Sequence, residues 1–203
     1  PETNKTKGHK RESGAYMNLL GNRRFLTSSL TLGLLISVMI AWISASPFLL
    51  MQDEQMSFIE FGLAQVPIFA LYGIATRFVG LIHDRCGSEK LFKIGFGIIL
   101  TALLFLMIGH FLSLNYMYRL IIPVAIYSCG FGLISAPLNR SVFTSTDVKK
   151  GTVTAMFYLI EMGTASLITL ALSFLSFYSL VLWVVTVACL SMFMREKKRE
   201  ESF

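Results

Sequence analysis

Six apolar stretches run along this chain of 203 residues, and its basic residues gather in every second gap between them. The stretches cover residues 26–50, 58–82, 91–112, 118–138, 152–176 and 178–194. Each is close to the ~20 residues a helix needs to cross ~30 Å of hydrocarbon, the last being at the short limit. Lys5, Lys7, Lys10, Arg11, Arg23 and Arg24 precede the first stretch. Arg77, Arg85, Lys90 and Lys93 surround the second gap, Arg140, Lys149 and Lys150 occupy the fourth, and Arg195, Lys197, Lys198 and Arg199 follow the last stretch. Of eighteen Lys and Arg residues, only Arg119 stands in the other set of gaps. Basic residues next to a span stay on the cytoplasmic side. The pattern therefore predicts an all-α, multi-pass membrane protein with six transmembrane helices and both termini cytoplasmic.

The net charge of +6 then reports orientation toward the anionic face of a lipid bilayer, not binding to nucleic acid. A hydrophobic content of 54%, a charged content of 15% and a mean hydropathy of +0.64 lie outside the range of water-soluble domains. Cys86, Cys129 and Cys189 suggest no disulfide framework, and His9, His83 and His110 approach no metal-ligand spacing. Within the spans no nucleophile stands with a base, so an enzyme is not expected and no cofactor is implied.

Residues 1–24 read as a cytoplasmic linker, because Gly8, Ser13 and Gly14 interrupt any apolar period before a short amphipathic piece at Tyr16 to Leu20. Residues 25–194 form the expected six-helix bundle and 195–203 a cytoplasmic tail. The first residue is Pro1 rather than Met, so a further domain upstream is expected.

Polar groups inside spans are costly unless they face protein or water, so function is sought there. In the second span Phe61, Gln65, Phe69, Tyr72 and Thr76 recur at helical spacing and mix aromatic with hydrogen-bonding groups. One reading is a wall against a bulky, partly apolar ligand; the other is helix packing with polar groups bridging neighbours. In the fifth span Thr154, Tyr158, Glu161, Ala165 and Thr169 share a face. Glu161 lies near mid-span, too deep to reach either interface, and needs a cation, a proton or water. The bland alternative is a hydrogen bond from Tyr127 or Ser128. Third, Gly80, Asp84, Arg85, Gly87 and Lys90 form GxxxDRxGxxK in the turn after the second span. There Gly80 permits close helix approach, and Gly87 permits a tight reversal.

That turn resembles the signature loop of the major facilitator superfamily, in which two six-helix halves enclose a central substrate cavity. Within the superfamily, AWISASP (41–47), FGLAQVPIF (61–69), IYSCGFGL (126–133) and DVKKGTVTA (147–155) resemble segments of MdfA-type multidrug:proton antiporters. Over essentially the whole chain the resemblance implies helices seven to twelve, one half of the fold, in an inner (plasma) membrane exporter. Such exporters exchange protons for small amphipathic drugs, and the proton gradient is the energy source. Its partner would be the N-terminal six-helix half. Carried over, Met39, Ile40 and Ile43 of helix seven, Gln65, Phe69 and Tyr72 of helix eight, and Tyr158 would contact substrate. Glu161 would handle protons or cations, and Gly80, Asp84, Arg85, Gly87 and Lys90 would gate. Glu161 departs from the neutral amide of the MdfA pattern at that position. A metabolite or siderophore transporter on the same scaffold, or a truncated non-transporting fragment, remains open at this point.

Overall fold

A computed structural model describes residues 14–112, 115–171 and 174, and these are almost wholly helical. The sixth apolar stretch, the tail and most of the linker lie outside the described residues. Helix α1 covers 14–21, with Leu19 fully buried at its end. Asn22 stops it and caps α2 (Arg23–Ser46): its side-chain oxygen accepts the N–H groups of Arg24 and Phe25 at 3.1 and 3.2 Å. The same side chain donates to the Ser145 carbonyl at 2.8 Å, tying α2 to the connection between the last two described helices.

Pro47 follows α2, and the chain widens into a π-helical turn at Pro47–Asp53. Helix α3 (Phe58–Phe111) begins with a capping box, in which Ser57 and Glu60 each accept the other's backbone N–H. It spans 54 residues, but Gly87, at φ 77° and ψ 164°, breaks it into two arms. A straight helix would hold Ala75 and Gly95 about 30 Å apart. Both instead meet helix α4 (Ile122–Phe143) within a turn of each other, Ala75 at Gly132 and Gly95 at Gly130. The reversal at Gly87 therefore makes α3 a hairpin, each arm of membrane length. A second π-helical turn, Met117–Ile121, leads into α4, and α5 (Lys150–Ala171) packs on α2.

Four helical segments among the described residues are long and apolar enough to cross a membrane: Arg23–Asp53, Phe58–Phe111, Met117–Phe143 and Lys150–Ala171. Counting the α3 hairpin as two arms, each of the first four apolar stretches, and residues 152–171 of the fifth, lies on a membrane-length segment. Helix α4 is central, with 72% of its apolar window buried against 28% in α3 and in α5. Two adjacent hydroxyls hold its neighbours: Tyr127 donates to the Leu35 carbonyl of α2 and Ser128 to the Ile68 carbonyl of α3, both at 2.7 Å.

Glycine makes the central contact possible. A Cβ on Gly130 would stand 2.7 Å from the Gly95 carbonyl oxygen and 2.8 Å from Ile99, whereas one on Gly80, expected to permit close helix approach, would meet nothing within 4 Å among the described residues. Gly130→Ala should therefore cost about 3 kcal/mol, the upper end for overpacking, measured from thermal unfolding in detergent. Gly80→Ala, inside a helix with open space for the methyl, should instead gain up to about 1 kcal/mol.

Candidate substrate and coupling site

Gln65 bridges two helices. Its carbonyl accepts the indole N–H of Trp42 at 2.9 Å and its amide donates to Ser46 Oγ at 3.5 Å. Trp42 is fully buried, so its donor needs that acceptor. Tyr72, two turns along, stacks on Phe131 of α4 at 5.8 Å between ring centroids, while Phe69 between them remains about half exposed. The aromatic face of the first α3 arm is thus partly consumed by packing and partly open.

Glu161 sits where α5 crosses α2. The absence of a side chain at Gly33 brings the helices together: a Cβ there would lie 3.0 Å from Thr164 Cβ and 3.3 Å from Glu161 Cα. The residue is 6% exposed, and its carboxyl has no hydrogen-bond or ionic partner among the described residues. The two donors considered from sequence are committed elsewhere, Tyr127 to Leu35 and Ser128 to Ile68 and Ala125. Further along the same seam, Ile40 joins Met162, Ala165, Ser166, Thr169 and Leu170 around a groove of about 500 Å³. The Thr169 hydroxyl is buried without a partner among the described residues.

Helix α2 stands between these two regions. Gly33 and Trp42 are nine residues apart, half a turn opposed at about 100° per residue. On the same wheel Met39, Ile43 and Ile40 fall in that order between Trp42 and Gly33, on one flank. Met39 is buried, Ile40 partly buried and Ile43 53% exposed, so the flank runs as a strip from the Gln65 side to the Glu161 side. Tyr158, one turn before Glu161, is likewise about half exposed, its ring 5.1 Å from that of Phe157. Sequence reasoning did not single out Gly33, Trp42, Ser46 or Ser166. Trp42 and Ser46 stand one turn apart in the first span, the spacing at which two side chains can hold one amide on a neighbouring helix.

The GxxxDRxGxxK residues cluster at the α3 reversal. Gly80, Asp84, Arg85 and Lys90 are exposed, and Gly87 supplies the left-handed backbone. His83 spans the bend, its Nε2 2.8 Å from Ser88 Oγ and its Nδ1 3.6 Å from the Asp84 carboxylate.

The sequence profile of the Major Facilitator Superfamily matches residues 1–163. Multidrug transporter MdfA of Yersinia pestis bv. Antiqua (strain Angola) is 34% identical over 167 residues, which is 80% of this chain and 41% of that protein. The MdfA proteins of Escherichia coli O6:H1 and Edwardsiella ictaluri are 31% and 30% identical, covering 72% and 80% of this chain and 36% and 40% of theirs. The chain therefore spans about two fifths of the length of the curated relatives it matches.

Removing Gln65 deletes the 2.9 Å hydrogen bond that its carbonyl accepts from the buried Trp42 indole, a loss of about 1 kcal/mol. Gln65→Ala should lose that much stability in detergent unfolding, and should lose clearly less in a Trp42→Phe background, where that bond is already absent.

Proposed function

The chain belongs to the major facilitator superfamily, and from that premise we propose that it is the C-terminal half, helices seven to twelve, of a proton-coupled multidrug exporter. The observation that carries this reading is the α2 flank. Met39, Ile43 and Ile40 link an aromatic, amide-bearing face to a buried carboxyl with no partner of its own. A lipophilic cation needs both an apolar, polarizable wall and a negative charge in a dry setting. The relatives named as multidrug transporters support the substrate class.

In this reading Gln65, Phe69, Tyr72 and Tyr158, with the α2 strip, contact small amphipathic substrates. Glu161 takes a proton or a cationic substrate but not both at once, which is the requirement for exchange. Alternating access needs two arrangements that ligands bind with different affinity. The second wall is supplied by an N-terminal six-helix half, the partner against which the exposed Ile43, Phe69 and Tyr158 side chains are directed. Gly80, Asp84, Arg85, Gly87 and Lys90 gate at the cytoplasmic end. The protein lies in the inner (plasma) membrane with both termini cytoplasmic, as the basic gaps support. Transport draws on the proton gradient and requires no bound cofactor.

In a full-length transporter carrying these helices, Glu161→Gln should reduce resistance to cationic drugs about tenfold, the scale of one lost charge-assisted contact of about 1.4 kcal/mol. Drug-induced proton release from proteoliposomes should fall with it. Unchanged resistance and unchanged proton release would remove Glu161 from the mechanism.

A further inference from the structure

Arg119, the one basic residue outside the alternating gaps, donates to the carboxylate of Glu54, 65 residues earlier in the chain. Both side chains are only about a quarter exposed, at 28% and 27%. Three segments converge on the pair. Glu54 closes the π-helical turn that continues α2, and Arg119 lies in the π-helical turn that enters α4. Behind it, a Cβ on Gly109 near the end of α3 would stand 2.9 Å from Arg119 Cα.

Neither charge suits its own helix. Glu54 occupies a helical C-terminus, where the dipole already presents negative charge, and Arg119 occupies the N-terminal entry of a helix, where the dipole is positive. Each is therefore unfavourable alone, and pairing is what offsets both. The Arg119 Nε–H is buried with no partner among the described residues, so holding the side chain in place has a further cost that only a fixed partner compensates. Apart from the ion pair, the connection between α2 and α3 is anchored by the burial of Leu50 and Met56 in the core. Gln55 adopts φ 54°, unusual for a residue with a side chain, and the Met56 N–H reaches back to the Leu50 carbonyl at 3.0 Å. Immediately before this connection lies Ser46, the residue that receives the Gln65 amide.

We propose that Glu54 and Arg119 form an ionic clasp that positions the far end of α2, and with it the strip of Met39, Ile40 and Ile43, against α3 and α4. The two are positioning residues: they touch neither the groove nor the Gln65 face. The inference takes from the proposed function only that the strip faces substrate.

The test uses the full-length transporter carrying these helices, with Cys86, Cys129 and Cys189 replaced by serine and Leu50→Cys as reporter. Leu50 is fully buried on the clasped turn, so a maleimide in detergent labels it only when the turn opens. Should that reporter fail to fold, Met56→Cys, at a residue 9% exposed, gives the same readout. Glu54→Gln and Arg119→Gln should each speed labelling about fivefold, equivalent to about 1 kcal/mol. The exchanged pair, Glu54→Arg with Arg119→Glu, should return the rate to within about twofold of the parent, because each charge then stands at the helix end its sign prefers. Labelling at the parent rate in the single variants overturns the clasp, and so does an exchanged pair that labels as fast as they do. Labelling rates bear only on the clasp, and the Glu161→Gln transport result bears only on the coupling role.

Discussion

Two glycines facing each other, Gly95 and Gly130, decide how near α3 and α4 can come, and the remaining helices are placed from that contact. In lipid the hydrophobic effect does not drive one helix onto another, so close backbone approach and interhelical hydrogen bonds must do so. Here each glycine carbonyl oxygen lies 2.7–3.0 Å from where the other's Cβ would stand, closer than carbon–oxygen van der Waals contact allows. With α4 locked to the second arm of α3, its Tyr127 and Ser128 hydroxyls reach the backbone of α2 and of the first α3 arm. Helix α5 then rests on α2 at Gly33. The order of dependence runs from α4 outward, and the candidate site reaches from the first arm of α3 across α2 to α5.

Burial follows the same order. Helices α3 and α5 leave large apolar side chains open, among them Leu63, Val66, Leu104, Leu159 and Leu167. Hydrocarbon accepts these without penalty. Polar groups inside the spans are treated differently: Thr31 donates to the Thr27 carbonyl at 2.7 Å and Ser37 to the Leu34 carbonyl at 2.6 Å, within their own helix. Among the described residues Ser29 and Thr169 are exceptions, each hydroxyl buried without a partner, and the Glu161 carboxyl joins them as a group that can carry charge.

Much of this was legible in sequence because the bilayer imposes length and periodicity. The apolar stretches mark the helical segments, Gly87 marks the reversal, and the 3–4 spacing puts Gln65 and Tyr72 on one face of α3. Which helix lies beside which was not legible. Tyr127 and Ser128 stand in sequence as possible donors to Glu161 from a neighbouring span, yet α4 turns those hydroxyls toward α2 and α3. A glycine such as Gly33 carries no sign of its partner until the crossing is seen. The double use of Gln65 was half visible: its amide could bridge or bind, and the structure engages it with Trp42 and Ser46. The sixth apolar stretch falls outside the described residues.

Because α2 carries the Glu161 crossing on one side and the Trp42–Gln65 bridge on the other, it cannot turn about its own axis without both sides registering the movement. A rotation that draws Ile40 away from Ser166 must also drag the Trp42 indole across the Gln65 amide. The helix is in this sense a cam, converting a change in one seam into a displacement in the other without any loop having to carry the signal. Its stiffness over 24 residues is what allows two remote contacts to share a single degree of freedom.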